Sequence, residues 1–142
     1  MKGKKRLFRK KGLRGATMEQ LLEIQVICND PIRVKGGSAE KVMIPFGGTA
    51  EGKLFSGKII GPGVDTQTIR DGVYFLSARY MLEGRDADGN ECRIFVENQG
   101  NWENGFRPEI VTDSALLKDW ENAELSASVE PAPGGVTVRI FR

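Results

Sequence analysis

Two alternating strands joined by a tight loop make residues 61–100 the most constraining part of the sequence. Residues 73–82 and 91–98 alternate apolar and polar side chains, which is the pattern of half-buried strands. The loop between them, Asp86-Ala87-Asp88-Gly89, ends in a glycine that can adopt the positive φ of a hairpin turn. This segment therefore predicts an antiparallel β-hairpin.

The same alternation recurs along the chain and predicts an all-β fold. Further strands are expected at residues 19–28, 42–46, 53–60, 123–129 and 136–141, with turns at 29–31, 61–63 and 131–135. Residues 99–108 read as a long loop, and Thr112-Asp113-Ser114 can cap a helix over 114–121. Because seven or more short strands occur without βαβ alternation, we predict a single antiparallel β-barrel over residues 18–142 with one short helix.

Charge divides the chain into a basic leader and an acidic body. Residues 1–17 hold eight Lys or Arg and no acid, so the remainder carries 21 − 8 = 13 basic against 19 acidic residues, a net of −6. We interpret the leader as a disordered extension, or as sequence upstream of a start at Met18. A phosphate-binding arm is the alternative, although the acidic body disfavours a nucleic-acid module. No apolar run is long enough to predict a transmembrane helix, so no membrane partner is expected.

Cysteine and histidine content limits the chemistry. Cys28 and Cys92 lie in apolar strand-like runs, which predicts buried free thiols in a reducing cytoplasm. Histidine is absent, which excludes Ser-His-Asp and Cys-His nucleophile systems and His-ligated metal sites. Residues 47–53 have the glycine and lysine spacing of a phosphate-binding loop, but Leu54 replaces the Ser or Thr that would bind magnesium. We therefore expect no metal and no cofactor.

Alternation places two polar residues on the core face of the predicted hairpin. The core face carries Leu76, Ala78, Tyr80 and Leu82 on the first strand, and Cys92, Ile94, Val96 and Asn98 on the second. Because buried polar groups need partners, Tyr80 and Asn98 are expected to bond each other, a water or a ligand.

The opposite face of the predicted sheet is also partly apolar. It carries Phe75, Met81, Phe95 and Phe141. We hypothesise that a second copy of the chain covers this face and that the protein is a homo-oligomer. The alternative is that the helix and the 99–108 loop cover it.

Other polar and aromatic residues are candidates for a barrel mouth. Asp65, with Gln67 beside it, either caps the preceding turn or presents a carboxylate as base or hydrogen-bond acceptor. Arg79 is interpreted as an outer-face ion pair with Glu97, although a register one residue different would turn it inward as an anion anchor. The loop residues Trp102, Phe106 and Arg107 either form a lid over an apolar ligand or plug the barrel end.

Several short motifs follow one another in a recognisable order. They are Gly61-x-Gly63-x-Asp65, Asp71-Gly72, Ala78-Arg79-Tyr80, Asp88-Gly89, Ile94-x-Val96-x-Asn98-x-Gly100 and Pro108-x-Ile110-x-Thr112-Asp113-Ser114. In order and spacing the chain resembles the domain of unknown function 3237 family over about residues 18–142. The resemblance implies a calycin-like antiparallel β-barrel and no established activity. Thr66 departs from it, since many members carry Trp after the Asp.

These features favour a binding protein over an enzyme. We expect the barrel mouth to bind a small, partly apolar molecule through Asp65, Tyr80 and Asn98, with Trp102 and Phe106 covering it. Gln67, Arg79 and Arg107 are further candidate contacts. The alternative is a cofactor-free isomerase, cyclase or hydrolase, with Asp65 as general base and Tyr80 as acid or oxyanion donor.

Overall fold

Nine strands form one antiparallel sheet that closes into a barrel. The structure is a computed structural model and describes residues 18–142, so the predicted basic leader lies outside the described residues. The strands are β1 (Gln20–Cys28), β2 (Ile32–Lys35), β3 (Glu40–Glu51), β4 (Phe55–Arg70), β5 (Val73–Asp86), β6 (Glu91–Asn101), β7 (Gly105–Thr112), β8 (Ser126–Ala132) and β9 (Gly135–Phe141).

Closure of the sheet depends on β1, which pairs with β9 on one side and with β3 on the other. The remaining order is β9-β8-β7-β6-β5-β4-β3-β2. Eight strands therefore form the ring, and β2 is an extra strand attached only to the first residues of β3. The predicted fold class, an all-β antiparallel barrel, is confirmed.

The period-two alternation of the sequence determines which side chains fill the barrel. Leu82, Ile94, Val96 and Ile140 are completely buried and lie on inward faces of β5, β6 and β9. The predicted core faces of the β5–β6 hairpin are confirmed, because Leu76, Tyr80, Cys92 and Asn98 are also buried. Asp86 begins the predicted hairpin loop, in which Gly89 has φ 85°.

One end of the barrel is closed by the segment that links β7 to β8. A helix was predicted over 114–121, but the structure has only a 3-10 turn at Lys118–Glu121. Leu117 and Trp120 are buried as predicted, whereas Leu116 is exposed, because a single tight turn cannot present three side chains to the core. Ser114 Oγ accepts the Leu117 N–H at 3.3 Å, which confirms part of the predicted cap. Within residues 18–142, no helix has the length and apolarity needed to cross a membrane.

The predicted turn at Gly61-Pro62-Gly63 is wrong, because β4 continues through it. Pairing with β5 passes from Ile60↔Met81 directly to Val64↔Arg79, so the GPG segment is a bulge inside a 16-residue strand. From one pair to the next the chain advances four residues on β4 and two on β5. Because the two extra residues on β4 are an even number, inward and outward side chains keep the same alternation after the bulge. Gly61 has φ 61°, which suits glycine, and Pro62 lies where no ladder bond is required.

Two other predicted boundaries are also wrong. The predicted loop at 99–108 is instead the tight β6–β7 hairpin, paired from Asn101↔Gly105 onward. The short strand predicted at 42–46 is the middle of the 12-residue β3, which runs through Pro45. Pro45 lies between the part of β3 that pairs with β2 and the part that pairs with β1, so its missing N–H leaves no gap in the ladder.

The seam between β7 and β8 is the weakest junction of the ring. These strands share one pair, Phe106↔Ala127, whereas β1 and β9 share seven. Two side-chain hydrogen bonds support this junction, one to β8 itself and one to the 3-10 turn that precedes β8. Trp102 Nε1–H donates to the Val129 carbonyl at 3.0 Å, and Glu121 Oε2 accepts the Thr112 N–H at 2.8 Å.

Strands β2 to β5 extend beyond the ring as a four-stranded ribbon. The ribbon ends in the Asp71-Gly72 turn, where both residues have positive φ (53° and 78°), as a two-residue hairpin requires. Its outer face exposes large apolar side chains, at Ile32, Val34, Met43, Val73 and Phe75. Of the other predicted outer-face apolar residues, Met81, Phe95 and Phe141 are half-buried.

Candidate functional site

The candidate site is organised around Ala78 on the inner face of β5. Register pairs Ile44, Asp65, Ala78, Asn98 and Pro108 side by side across β3 to β7, and we call this set the Ala78 row. Directly paired residues share a face of a sheet, so all five lie on the lumen side. Asp65 and Asn98 flank the small Ala78, and Tyr80 lies on the same strand one inward position closer to the closed end.

Burial differs among the inward-facing residues of the barrel. Near the closed end, inward residues such as Leu82 and Ile94 are fully buried. In the Ala78 row, Ile44, Asp65 and Ala78 are only half-buried although they point inward. Asn98 in this row is buried, as are Leu76 and Phe106, one inward position nearer the turns at 71–72 and 102–104. We call the end of the barrel formed by the turns at 71–72, 102–104 and 133–134 the mouth.

Three buried polar atoms of the lumen lack a hydrogen-bond partner among residues 18–142. They are Asp65 Oδ1, Tyr80 Oη and Asn98 Oδ1. The expectation that Tyr80 and Asn98 bond each other is therefore not met. A buried polar group without a partner costs about 1–3 kcal/mol, so three in one region call for an occupant.

Asp65 is held by one neighbour and presents its other oxygen freely. Gln67 Nε2–H donates to Asp65 Oδ2 at 3.0 Å, which leaves Oδ1 buried and unbonded. Burial raises the pKa of Asp65 above its ordinary value, and the Gln67 hydrogen bond partly opposes that rise. The turn-capping interpretation of Asp65 fails, because Asp65 lies within β4 and not at a turn.

The Tyr80 ring packs against Phe46, and this contact requires a glycine at position 63. The rings of Phe46 and Tyr80 meet edge to face with centroids 5.5 Å apart. A Cβ on Gly63 would lie 2.6 Å from the Phe46 ring and 2.9 Å from the Tyr80 Cβ, so any larger residue would displace this pair. Burial raises the pKa of Tyr80 well above its ordinary value, so its hydroxyl stays protonated and can donate.

Cys28 is a site neighbour that sequence reasoning missed. It ends β1 opposite Phe46 and is exposed, so the prediction of a buried thiol is wrong here, although Cys92 is buried as expected. Although the residue as a whole is exposed, partial burial of its thiol and, to a smaller extent, the charge of Asp65 raise the pKa of Cys28. Cys28 therefore lies within electrostatic range of Asp65. Its alternation with Leu22, Ile24 and Val26 indicated an inward side chain. Cys28 is nevertheless exposed, because it is the last residue of β1.

Arg79 and Arg107 do not face the lumen. Arg79 Nε–H donates to Glu97 Oε2 at 3.0 Å on the outer face, which confirms the ion-pair interpretation. Arg107 pairs with Gln99 on the outward alternation of β6 and β7 and is exposed. Neither guanidinium is placed to anchor an anion inside the barrel.

The aromatic pair of the predicted loop lies at the mouth beside the β7–β8 seam. Phe106 is buried and points inward, and Trp102 packs edge to face against it with centroids 5.5 Å apart. Trp102 itself is 59% exposed and is tied to β8 by its indole N–H. Phe106 thus narrows the mouth on this side, and Trp102 borders the opening without crossing it.

The described residues contain no group of three or more Cys, Asp or Glu side chains that could hold a metal ion. Residues 47–53 run from the end of β3 into its turn and not into a helix, so the phosphate-loop geometry is not formed.

Comparison with known proteins supports the fold and the family. A UPF0311 protein of Clostridium acetobutylicum is 34% identical over 86 residues, which are 58% of this chain and 52% of that protein. The match thus spans about half the length of that relative. The structure of a β-barrel-like protein from Acinetobacter baumannii superposes with a TM-score of 0.71 at 20% identity, covering 88% of this chain and 94% of that one.

A fungal structure shares the same architecture. An enzyme from Penicillium herquei superposes with a TM-score of 0.67 at 16% identity, covering 92% of this chain and 98% of that chain. Similarity at these identities shows the fold alone. Residues 16–114 match the family described as Protein of unknown function (DUF3237). The resemblance read from the motif order is therefore confirmed, and the chain belongs to the DUF3237 family.

Proposed function

We propose that the protein binds a small, partly apolar molecule inside the mouth end of its barrel, beside Ala78. One observation carries the proposal, namely the three partnerless buried oxygens of Asp65, Tyr80 and Asn98 on one stretch of the inner wall. Apart from Gln67, which bonds Asp65, the neighbouring inward residues are apolar, with Ile44 and Phe46 on β3 and Val96 on β6. An apolar lining with a few placed polar groups is the usual composition of a small-molecule site.

Filling the space above Ala78 tests this function. In Ala78→Leu the larger side chain projects into the lumen between Asp65 and Asn98, so a neutral fluorescent probe such as N-phenyl-1-naphthylamine should bind at least tenfold more weakly. The adjacent Arg79→Ala provides the matched control, because Arg79 points outward and its loss should leave the probe affinity unchanged. Equal probe affinity in Ala78→Leu and the parent protein would contradict a lumen site, provided that circular dichroism shows both to be folded.

A second candidate function is cofactor-free catalysis with Asp65 as general base. It is favoured by the raised pKa of Asp65, whose free oxygen faces the lumen, and by the enzyme of the same fold from Penicillium herquei. Tyr80, kept protonated by burial, would donate to the oxygen on which negative charge develops.

Proton abstraction can be tested without knowing the substrate. A panel of enolisable ketones and lactones is incubated in D₂O, and deuterium incorporation beside the carbonyl is followed by NMR. The catalytic proposal expects incorporation that Asp65→Asn abolishes and Tyr80→Phe reduces by about 10²-fold. Incorporation that persists in Asp65→Asn would exclude Asp65 as the base.

A further inference from the structure

We infer that the lumen site selects an uncharged molecule that donates a hydrogen bond through a hydroxyl group, and that it rejects carboxylates and phosphates. This inference rests on the proposed function and adds the chemical class of the ligand. It follows from the charges and the hydrogen-bonding capacity of the inner wall.

Charge on the inner wall excludes anions. No basic side chain belongs to the Ala78 row or to the inward-facing positions two residues to either side of it on β3 to β7. Arg79 and Arg107, the cations nearest along the strands, lie on the outer face. The carboxyl group in this region is Asp65, which would repel an anion wherever it is itself ionised. An anion would therefore lose its hydration without gaining a countercharge.

The partnerless atoms define what the ligand must bring. Asn98 Oδ1 is an acceptor, Asp65 Oδ1 is an acceptor when ionised, and Tyr80 Oη can donate or accept. Two of the three therefore require a donor from the ligand. A hydroxyl group can donate its one hydrogen to one of these acceptors and can also accept from Tyr80, whereas a ketone or ether oxygen could satisfy Tyr80 alone.

The arrangement of the acceptors favours a neutral donor over an ammonium group. Asp65 and Asn98 lie on strands two apart, so their Cα atoms are separated by about 10 Å and flank Ala78 from opposite sides. An ammonium ion would be favoured if three acceptors surrounded it at hydrogen-bond distance. Asp65 and Asn98 instead lie on opposite sides of Ala78, which favours a ligand whose apolar part lies between them. An ammonium ion would also be desolvated against Ile44, Phe46 and Val96.

The inference is tested with four probes that share one apolar body. Binding of 2-phenylethanol, propylbenzene, 2-phenylethylamine and phenylacetate to the full chain is measured by ligand-observed NMR titration at pH 7. We expect 2-phenylethanol to bind about five- to tenfold more tightly than propylbenzene, which is the gain of one satisfied hydrogen bond. Phenylacetate should bind too weakly to measure, and the amine should bind more weakly than the alcohol.

Two variants locate the effect. Asn98→Leu removes an acceptor at similar volume and should abolish most of the preference for the alcohol over propylbenzene. Because Asn98 is buried and the variant could fail to fold, Asp65→Asn is measured in parallel and should reduce the same preference. Ser77→Ala is the matched control, since Ser77 Oγ is also buried without a partner but belongs to the outward alternation of β5.

The outcomes separate this inference from the function on which it rests. Equal affinity for 2-phenylethanol and propylbenzene would leave a lumen site in place but overturn the hydroxyl selectivity. Tighter binding of the amine or of phenylacetate would overturn it as well. Binding of none of the four probes would contradict the lumen site itself, together with the inference.

Discussion

The buried carboxyl group of Asp65 lowers the stability of the folded protein at neutral pH, and it leaves one oxygen without a hydrogen bond. Burial raises its pKa, so the folded protein holds a proton more tightly than the unfolded chain does. Folding is therefore opposed by ionisation as the pH rises from the ordinary Asp pKa through the raised one, and this penalty is absent in more acidic solution. The one hydrogen bond from Gln67 does not remove it.

Replacing Asp65 by Asn should consequently stabilise the protein at neutral pH. The urea midpoint of Asp65→Asn should exceed that of the parent at pH 7, and the two should converge as the pH falls below the ordinary Asp pKa. Asp86→Asn is an informative counterpart, since hydrogen bonds from Ser114 Oγ and from the backbone of Asn90 and Asp88 lower the pKa of Asp86. It should destabilise the protein at pH 7. A lower midpoint for Asp65→Asn at pH 7 would contradict the assignment of Asp65 as a penalised carboxylate.

Cys28 offers a reporter for the charge of Asp65. Because that charge raises the pKa of Cys28, Asp65→Asn should increase the thiolate fraction at pH 8. Alkylation of Cys28 by iodoacetamide, followed by mass spectrometry, should then be about threefold faster, which corresponds to a modest Coulomb interaction across the mouth. Cys92 is buried and should remain unmodified. Asp71→Asn, in the exposed β4–β5 turn, should leave the rate unchanged, and an unchanged rate in Asp65→Asn would show that the two groups do not interact.

At the scale of strands, the single pair between β7 and β8 makes the seam dependent on Trp102. Its indole N–H replaces a missing ladder bond to β8, so Trp102→Phe should keep the contact with Phe106 and lose the hydrogen bond. We expect a loss of about 1 kcal/mol in the free energy of unfolding and faster amide exchange in β7 and β8 by hydrogen-exchange mass spectrometry. Exchange in the β5–β6 hairpin, which is paired over ten positions, should not change. Equal protection of β7 and β8 in both proteins would show that the seam does not need Trp102.

Strands and faces were predictable where the alternation of the sequence is strong. Tyr80 and Asn98 were assigned to the lumen, and Arg79 to the outer face, because a side chain in a strand can point only to one side or the other. The bulge at Gly61-Pro62-Gly63 was not predictable, since the same residues form a turn when the following strand folds back on the preceding one. Pairing of the residues before and after this segment with β3 and β5 makes it a bulge inside one continuous strand. The Ala78 row likewise depends on register across five strands, which no local pattern contains.

At the scale of the whole molecule, the ribbon of β2 to β5 presents an apolar outer surface. Ile32 pairs with Met43, and Val34 and Phe75 lie in the next row of the same face. These four side chains are 45–66% exposed, and within residues 18–142 one edge of β2 has no neighbouring strand. We expect self-association through this surface, which shares only Phe75 with the apolar outer face for which an oligomer was predicted from the sequence.

Light scattering coupled to size-exclusion chromatography tests this expectation. The parent protein should elute as an oligomer at micromolar concentration, and Val34→Glu combined with Phe75→Ser should shift it to the monomer. Val111→Ser is a suitable control, because Val111 is also exposed but lies on β7, outside the ribbon. A strictly monomeric parent at micromolar concentration would contradict the proposed oligomer.

The position of β1 between β3 and β9 has a consequence for the order of events in folding. Glu23 on β1 contacts Arg139 on β9, 116 residues further along the chain. Strand β1 is therefore synthesised before the other strands, but its partner β9 is the last strand to be synthesised. On a translating ribosome, β1 to β7 can pair in sequence while one flank of β1 stays open to water. The ring can be completed only once β9 has left the exit tunnel, so closure is limited by the search of β9 for β1 across the intervening chain.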